Sequence, residues 1–300
     1  MHIFICVKNT QNNIELQMTI PQYEDLKEKV AVVTGGGGVL CSTLADHLAA
    51  QGAKVAILDI NKDAADQIAN SIVEKGGQAI GVMANVLEKE SLELAHAQVN
   101  RKLGPCDILI NGAGGNHPKG TTSKTHLFPQ DLQADEDLMT FFKLDPEGIQ
   151  FVFNLNFIGT LLPTQIFAKD MVNREGCSIL NVSSMNAYRP LTKIPAYSGA
   201  KAAVSNFTQW LAVHFAPVGI RVNALAPGFF LTEQNRTLLT QADGNLTPRG
   251  QTILEHTPMN RFGEPEDLVG TTFWLISNQS QFVTGITVPI DGGFSAFSGV

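Results

Sequence analysis

Val30-Ala-Val-Val-Thr-Gly-Gly-Gly-Gly-Val-Leu-Cys-Ser-Thr-Leu-Ala-Asp-His-Leu-Ala-Ala50 holds the transition on which the fold turns. Val30 to Thr34 is a β-branched run of strand length, and from Leu40 to Ala50 the apolar spacing is that of a helix. Four glycines, Gly35 to Gly38, lie between them. Glycines at a strand-to-helix turn let the backbone come close to a ligand, and the helix amino terminus behind them favours negative charge, so a pyrophosphate fits there. A glycine run alone is equally a mere turn. The next strand argues for the ligand: Lys54-Val-Ala-Ile-Leu-Asp59 ends in an acid, at the distance of about 20 residues at which a carboxylate accepts ribose hydroxyls. An acid there repels a 2′-phosphate and no arginine follows it, which predicts NAD rather than NADP.

Outward from this stretch the chain alternates short β-branched runs with longer helical patterns. The further runs are Gln78 to Val82, Asp107 to Asn111, Ser178 to Val182, Ile220 to Leu225 and Thr287 to Asp291. Alternation of this kind predicts an α/β fold, a doubly wound, parallel, seven-stranded sheet in a single domain over residues 21–300. Residues 1–17 are polar and aperiodic, which predicts a loose extension reaching to about residue 20, or a natural start at Met18.

The 300 residues are 44% hydrophobic and 16% charged, enough for a substantial core, and the net charge of −7 argues against nucleic acid as a partner. No run approaches the roughly 18 consecutive apolar residues that span a bilayer, and His2 to Val7 is too short for a signal-peptide core, so the expectation is a cytoplasmic protein without a membrane partner. Cys6, Cys41, Cys106 and Cys177 lack Cys-x-x-Cys spacing, which predicts reduced thiols and no metal site. His47, His96 and His214 sit in helical patterns and read as ordinary histidines rather than ligands.

A second stretch carries chemistry. In Tyr197-x-x-x-Lys201 the phenol and the ammonium stand one turn apart if a helix begins near Pro195, and a cation beside a phenol lowers its pKa so that it can trade a proton with an alcohol. The strand from Ser178 to Val182 delivers Ser183 and Ser184 to a carboxyl end, where open α/β sheets bind ligands, and Ser184 is suited to polarise the same oxygen.

Thr34-Gly35 with its glycine cluster, Asp59, Asn111-Gly-Ala-Gly114, Asn156-x-x-Gly159, Ser184, Tyr197-x-x-x-Lys201, Pro227-Gly228, Arg261-Phe-Gly263 and Asp291-Gly-Gly293 together resemble the short-chain dehydrogenase/reductase family, over Leu26 to the end. The resemblance implies a Rossmann sheet and a hydride-transferring enzyme. It implies Tyr197 as acid/base, Ser184 as the carbonyl-polarising hydroxyl, Lys201 as the cation serving phenol and nicotinamide ribose, and Asn156 as the holder of a relay water. It further implies a cofactor site of Gly35, Gly37, Gly38, Val39 and Leu40, then Asp59, Ile60, Asn85 and Val86, then Asn111, Ala113 and Gly114, with Tyr197 and Lys201, and finally Pro227, Gly228, Phe230 and Thr232. A homo-oligomer, a tetramer by family analogy, is implied as well, with the stripe Phe207, Trp210, Leu211 and Phe215 as core or subunit seam. Four positions depart from the pattern. Val39 and Cys41 replace later glycines, which predicts a helix packed further off and a change in cofactor affinity, Gly112 stands where asparagine is common, and Asn85 replaces a usual aspartate near the adenine, where an amide can still hydrogen-bond.

Within the family the chain is most similar to the D-mannonate oxidoreductases, or fructuronate reductases, on Gly35 to Leu40, Asn111 to Lys119, Ser183 to Asn186 and Phe229 to Arg236. That implies a small sugar-acid substrate. The residues themselves add a long connection around 115–150, and long loops at a sheet's carboxyl edge commonly build substrate sites. A hexuronate needs a cation and amide donors; Asn116, His117, Lys119 and Asn186 are candidates, with Arg189 or Lys193 for the carboxylate. Another sugar-acid or polyol dehydrogenase, such as a 5-ketogluconate reductase, and a non-catalytic NAD-binding sensor remain as alternatives. The sensor reading is disfavoured by retention of both Tyr197 and Lys201.

Overall fold

A computed structural model describes residues 21–133, 137–232, 236, 238–241 and 243–299; the expected loose extension over 1–20 and Glu233 to Asn235 of the Phe229–Arg236 stretch lie outside them. Seven strands form one parallel sheet: β1 (Val30–Thr34), β2 (Lys54–Asp59), β3 (Gln78–Met83), β4 (Ile108–Asn111), β5 (Ser178–Val182), β6 (Arg221–Pro227) and β7 (Thr287–Ile290), in the order β3-β2-β1-β4-β5-β6-β7. Alternation along β1 divides the core. Ala31 and Val33 face one apolar layer, Val30 and Val32 the other, and all five β1 residues are buried because both sheet faces are covered.

The first layer is built by α1 (Val39–Ala50), α2 (Lys62–Glu74) and α8 (Val269–Ile276), through Leu44, Leu48, Ile72 and Phe273. The second is built by α3 (Lys89–Lys102), α5 (Gly159–Phe167) and α6 (Pro195–Phe215), through Leu92, Val99, Phe167 and Leu211. Between them in the chain are α4 (Pro146–Phe153) and α7 (Pro248–Glu255). Strand β1 is flanked by β2 on one side and β4 on the other, so the chain reverses direction there and opens a crevice at the carboxyl ends of β1 and β4.

The strand limits follow the sequence pattern closely, and two differences have local causes. Asp107 stays outside β4 because its carboxylate accepts from the Val30 amide at 2.8 Å and pairs with Arg174. Strand β6 runs on to Pro227 because Ala226 and Pro227 pair with Pro289 and Ile290 of β7. A proline inside β7 is tolerated because β7 is the sheet's edge. Pro146–Met171 forms a continuous helical run, long and apolar enough by length and composition to cross a membrane. Its buried residues Ile166, Phe167 and Met171 belong to the core beneath the sheet, and Val152 packs in a smaller cluster with Ala196 and Ala200 of α6, which accounts for that composition.

The two departures at Cys41 and Gly112 are one feature. A Cβ built on Gly112 would lie 2.1 Å from the Cys41 sulfur and 2.9 Å from the Thr34 carbonyl oxygen. Helix α1 is therefore not held away from the sheet: the thiol, which is 6% exposed, fills the room that a side chain at 112 would take. Gly112→Ala should lower stability by about 1–3 kcal/mol through overpacking. Adding Cys41→Gly should recover part of that loss although glycine in α1 itself costs about 1 kcal/mol; urea midpoints of the three variants measure the coupling.

Candidate active site

The crevice is built first by the β1–α1 turn. Gly35 has a φ of +63°, and a Cβ there would lie 2.8 Å from the Ala113 Cα, so only glycine fits between the two loops. The Thr34 hydroxyl accepts from Gly112 N at 3.1 Å and Ala113 N at 3.3 Å, locking the two loops together. Gly38 caps α1 without a side-chain bond, so the helix's first amides meet the crevice bare, ahead of Val39 and Leu40. Asp59 accepts from Gly37 N at 3.0 Å through one carboxylate oxygen and from Asn61 N at 2.9 Å through the other, which fixes its orientation at the end of β2. Ile60 beside it is 70% exposed, an apolar platform open to solvent. These groups fit a dinucleotide: bare amides for its phosphates, an oriented carboxylate for its ribose, an apolar side chain for its base.

Other predicted positions have narrower uses. The Asn85 side chain is committed to its own turn, donating to Glu88 at 2.8 Å and accepting from Leu87 N at 3.0 Å. Val86 is 7% exposed and packs at Gly159, where a Cβ would meet it at 3.0 Å. Asn111 faces inward rather than into the crevice, donating to Thr164 at 3.0 Å and to Asn181 at 2.9 Å, the residue beside it in register on β5. Its amide nitrogen is thereby committed, while the buried Oδ1 has no partner among the described residues. Phe230 is likewise buried against Gly263, while the Gly228 amide bonds Ile290 O at 2.9 Å, so the Pro227–Phe230 turn offers backbone. Thr232 begins the next turn, its carbonyl accepting from Arg236 N at 2.9 Å.

The chemistry-bearing groups converge. Helix α6 starts with Pro195 at its first turn, and Tyr197 and Lys201 follow one turn apart, as the spacing predicts. The Lys201 ammonium, on a side chain only 4% exposed, donates to Val182 O at 2.7 Å and lies 5.6 Å from the Tyr197 ring centre. The Ser184 hydroxyl, which accepts from Asn186 N at 3.3 Å, stands near enough to the Tyr197 phenol to favour its ionised form. Asn156 sits in a π-helical turn, Asn154–Ile158, between α4 and α5, donating to Gly115 O at 2.7 Å and Val152 O at 2.8 Å and accepting from Gly115 N at 3.2 Å. A Cβ on Gly114 would lie 2.7 Å from the Asn156 oxygen and 3.1 Å from Lys201 Nζ, which shows how closely the three elements meet.

One expectation is overturned. The sequence predicts a Tyr197 pKa lowered by Lys201, whereas burial raises it, opposed by the Ser184 hydroxyl, and burial pushes Lys201 down to about 8. The cause is common to both: each charged form loses water and no carboxylate repays the loss.

The connection between β4 and α4 is folded rather than open. The Asn116 amide donates to Thr121 at 3.0 Å, His117 accepts from Lys119 N at 3.2 Å and packs its ring 5.2 Å from that of Phe151, and Lys119 is ion-paired with Asp145 at 3.0 Å, which removes it as a carboxylate ligand. Thr122 N donates to Lys193 O at 2.8 Å and so joins this connection to the segment between Ser184 and Tyr197. Asn186 is buried, and its amide oxygen has no hydrogen-bond partner among the described residues. Arg189 and Lys193 line a cavity of about 540 Å³ at the carboxyl edge. Sequence reasoning missed its opposite wall, Arg249 and His256, because α7 is short and mostly polar. The available signal was Thr247-Pro248, a capping residue followed by proline at a helix's first position.

With the geometry in place, the profile of the family described as short chain dehydrogenase matches residues 29–243. The chain belongs to the short-chain dehydrogenase/reductase family. A Haemophilus influenzae structure, provisionally assigned as a D-mannonate oxidoreductase and solved with bound NAD, superposes on this dehydrogenase with a TM-score of 0.87 at 55% identity, covering 92% of this chain and 98% of that one. An uncharacterised oxidoreductase of Bacillus subtilis, UxuB, is 50% identical over 285 residues, 94% of this chain and 100% of that protein. A Burkholderia cenocepacia gluconate 5-dehydrogenase, in complex with NADP and tartrate, has a TM-score of 0.75 at 28% identity over 91% of this dehydrogenase and 98% of its own chain.

The depressed Lys201 pKa yields a stability test. The unfolded chain, with its lysine near 10.4, binds more protons than the folded chain between about 8 and 10.4, so the cost of burying the charge is fully present below about 8 and fades as pH rises. Lys201→Met should therefore raise the thermal midpoint of the cofactor-free dehydrogenase at pH 7, by the equivalent of roughly 2 kcal/mol after loss of the Val182 bond, and the gain should shrink by pH 10. Scanning calorimetry at the two pH values checks it.

Proposed function

We propose that this NAD-dependent oxidoreductase interconverts D-fructuronate and D-mannonate, with Tyr197 as the proton-transferring group. The observation that carries the chemistry is the meeting of Ser184, just beyond β5, with Tyr197 beside the buried Lys201 ammonium. Two hydroxyls brought together in this way can both reach one carbonyl oxygen, Ser184 polarising it and Tyr197 protonating it as negative charge develops. A phenol kept protonated by burial is suited to donate in the reducing direction. Lys201 stabilises the phenolate left behind, and Asn156 ties the Gly114–Gly115 loop to the π-helical turn, keeping one oxygen lone pair for a relay water.

NAD(H), when bound, supplies the hydride or takes it up. The residues that would hold it are the α1 amides behind Gly35, Gly37 and Gly38, with Asp59 and Ile60 at the adenosine end. Backbone of Ala113, Gly114 and Pro227 to Phe230 would lie at the nicotinamide end. Bound NAD in the relative at 55% identity supports this choice. The substrate assignment is supported by the same relative's provisional naming and by the folded connection, which carries Asn116 and His117 and is joined through Thr122 to Lys193 of the segment that also holds Asn186 and Arg189. Exposed Phe153, Trp210 and Val213 on α4 and α6 support pairing with a second copy.

Asp59→Ser should narrow the preference for NADH over NADPH, since the carboxylate both accepts ribose hydroxyls and repels a phosphate. The ratio of kcat/KM values reports it, and an unmoved ratio places cofactor choice elsewhere. With NADH, kcat/KM for fructuronate should exceed that for fructose by at least about 10²-fold, and Tyr197→Phe should lose about 10²–10⁴ in rate while still binding NADH. Comparable rates with fructose would sink the uronate assignment in favour of a general polyol dehydrogenase.

A further inference from the structure

The 540 Å³ cavity at the carboxyl edge has walls from five separate parts of the chain: Thr125 of the β4–α4 connection, Arg189 to Lys193, Pro248 to His256 on and after α7, Phe229 beyond β6 and Phe294 beyond β7. Among the described residues its lining contains three permanent cations, Arg189, Lys193 and Arg249, together with His256, and no aspartate or glutamate, in a chain whose net charge is −7. The salt bridges of the described residues run elsewhere, Lys124 to Asp131 and Arg261 to Asp267 among them, and these three cations enter none. His256 bonds the Thr252 carbonyl through Nδ1 at 2.7 Å; a carbonyl only accepts, so Nδ1 carries a proton and Nε2 is left for another partner.

Three like charges drawn around one cavity repel one another unless an anion joins them. A larger cavity of about 820 Å³ at the amino edge gives the contrast: it too is lined by Lys29, Arg174 and Arg221, but those groups are already engaged, donating to Gly176 O, to Asp107 and to Leu275 O. The edge cavity has both the charge and the free donors. It also lies in the right place, because Arg189 and Lys193 belong to the segment that joins Ser184 to Tyr197. Lys193 is held there in a left-handed conformation, φ +74°, by the Thr122 bond to its carbonyl.

We propose that this cavity is the anion subsite of the active-site cleft, and that Arg249, facing Arg189 and Lys193 from α7, is a specificity-determining residue that takes the carboxylate of the sugar acid. Resting on the function proposed above, it explains why a carboxylate would be required: three hydroxylated carbons separate the carbonyl of fructuronate from its acid group, so the acid is bound away from the reacting carbon by a different part of the chain. Phe229 and Phe294, with ring centres 5.2 Å apart, supply an apolar wall that shields the ion pair from water.

Calorimetric titration of the NADH-loaded enzyme with D-gluconate, and with D-sorbitol as its uncharged counterpart, tests the subsite without turnover. Gluconate should bind, and Arg249→Gln should weaken it by about tenfold or more, as for a lost hydrogen bond to a charged group, while Arg249→Lys keeps part of the affinity. Arg101→Gln, which removes the same charge on α3, should change nothing. Absence of gluconate binding, or equal affinity in wild type and Arg249→Gln, overturns the subsite. Parallel kinetics separate the two readings: Arg249-dependent gluconate binding without fructuronate turnover overturns the substrate and keeps the subsite, whereas fructuronate turnover with an unchanged KM in Arg249→Gln does the reverse.

Discussion

A single buried ammonium organises this molecule. Lys201 is withdrawn from water with one carbonyl, that of Val182, as its hydrogen-bond acceptor, and no carboxylate among the described residues answers it. Such a charge is tolerated only where the surrounding structure over-determines its position. Strand β5 must end at Val182 to present that carbonyl, and α6 must begin at Pro195 so that Lys201 comes to it one turn after Tyr197. The Gly114 backbone must come close enough to leave no room for a side chain. The crevice, the β4 loop and the π-helical turn at Asn156 are all arranged around that constraint.

The sheet was legible because its central strands are buried on both faces and therefore read as unbroken apolar, largely β-branched runs, and the glycine turn and Asp59 lie close together in sequence. The pair Tyr197 and Lys201 was legible for the same reason of proximity. What was not legible is the environment those residues meet. The rise in the Tyr197 pKa comes from burial, which no spacing reports, and the commitment of Asn111 to Thr164 and Asn181 comes from side-by-side register across β4 and β5. Lys119 looked like a free cation because Asp145, its partner, lies 26 residues later. Arg249 was invisible as a site residue because its significance arises only when α7 folds back beside Lys193.

The long β4–α4 connection shows how a surface segment can become part of an active-site wall. Its contact with the catalytic region is not apolar packing alone but a backbone hydrogen bond, Thr122 N to Lys193 O, which holds irrespective of side chain. Around that bond, side chains such as Asn116 and His117 can vary while the register of the two segments persists. The scaffold therefore separates what transfers the proton, carried on β5 and α6, from what selects the molecule, carried on connections beyond the strands.

The interlocked Cys41 and Gly112 also bear on how such a chain is read. At the spacing seen here any side chain at 112 would collide with the thiol, so the two positions cannot be chosen independently. A search for the family's glycine fingerprint that counts Cys41 as a defect misses its compensation 71 residues away.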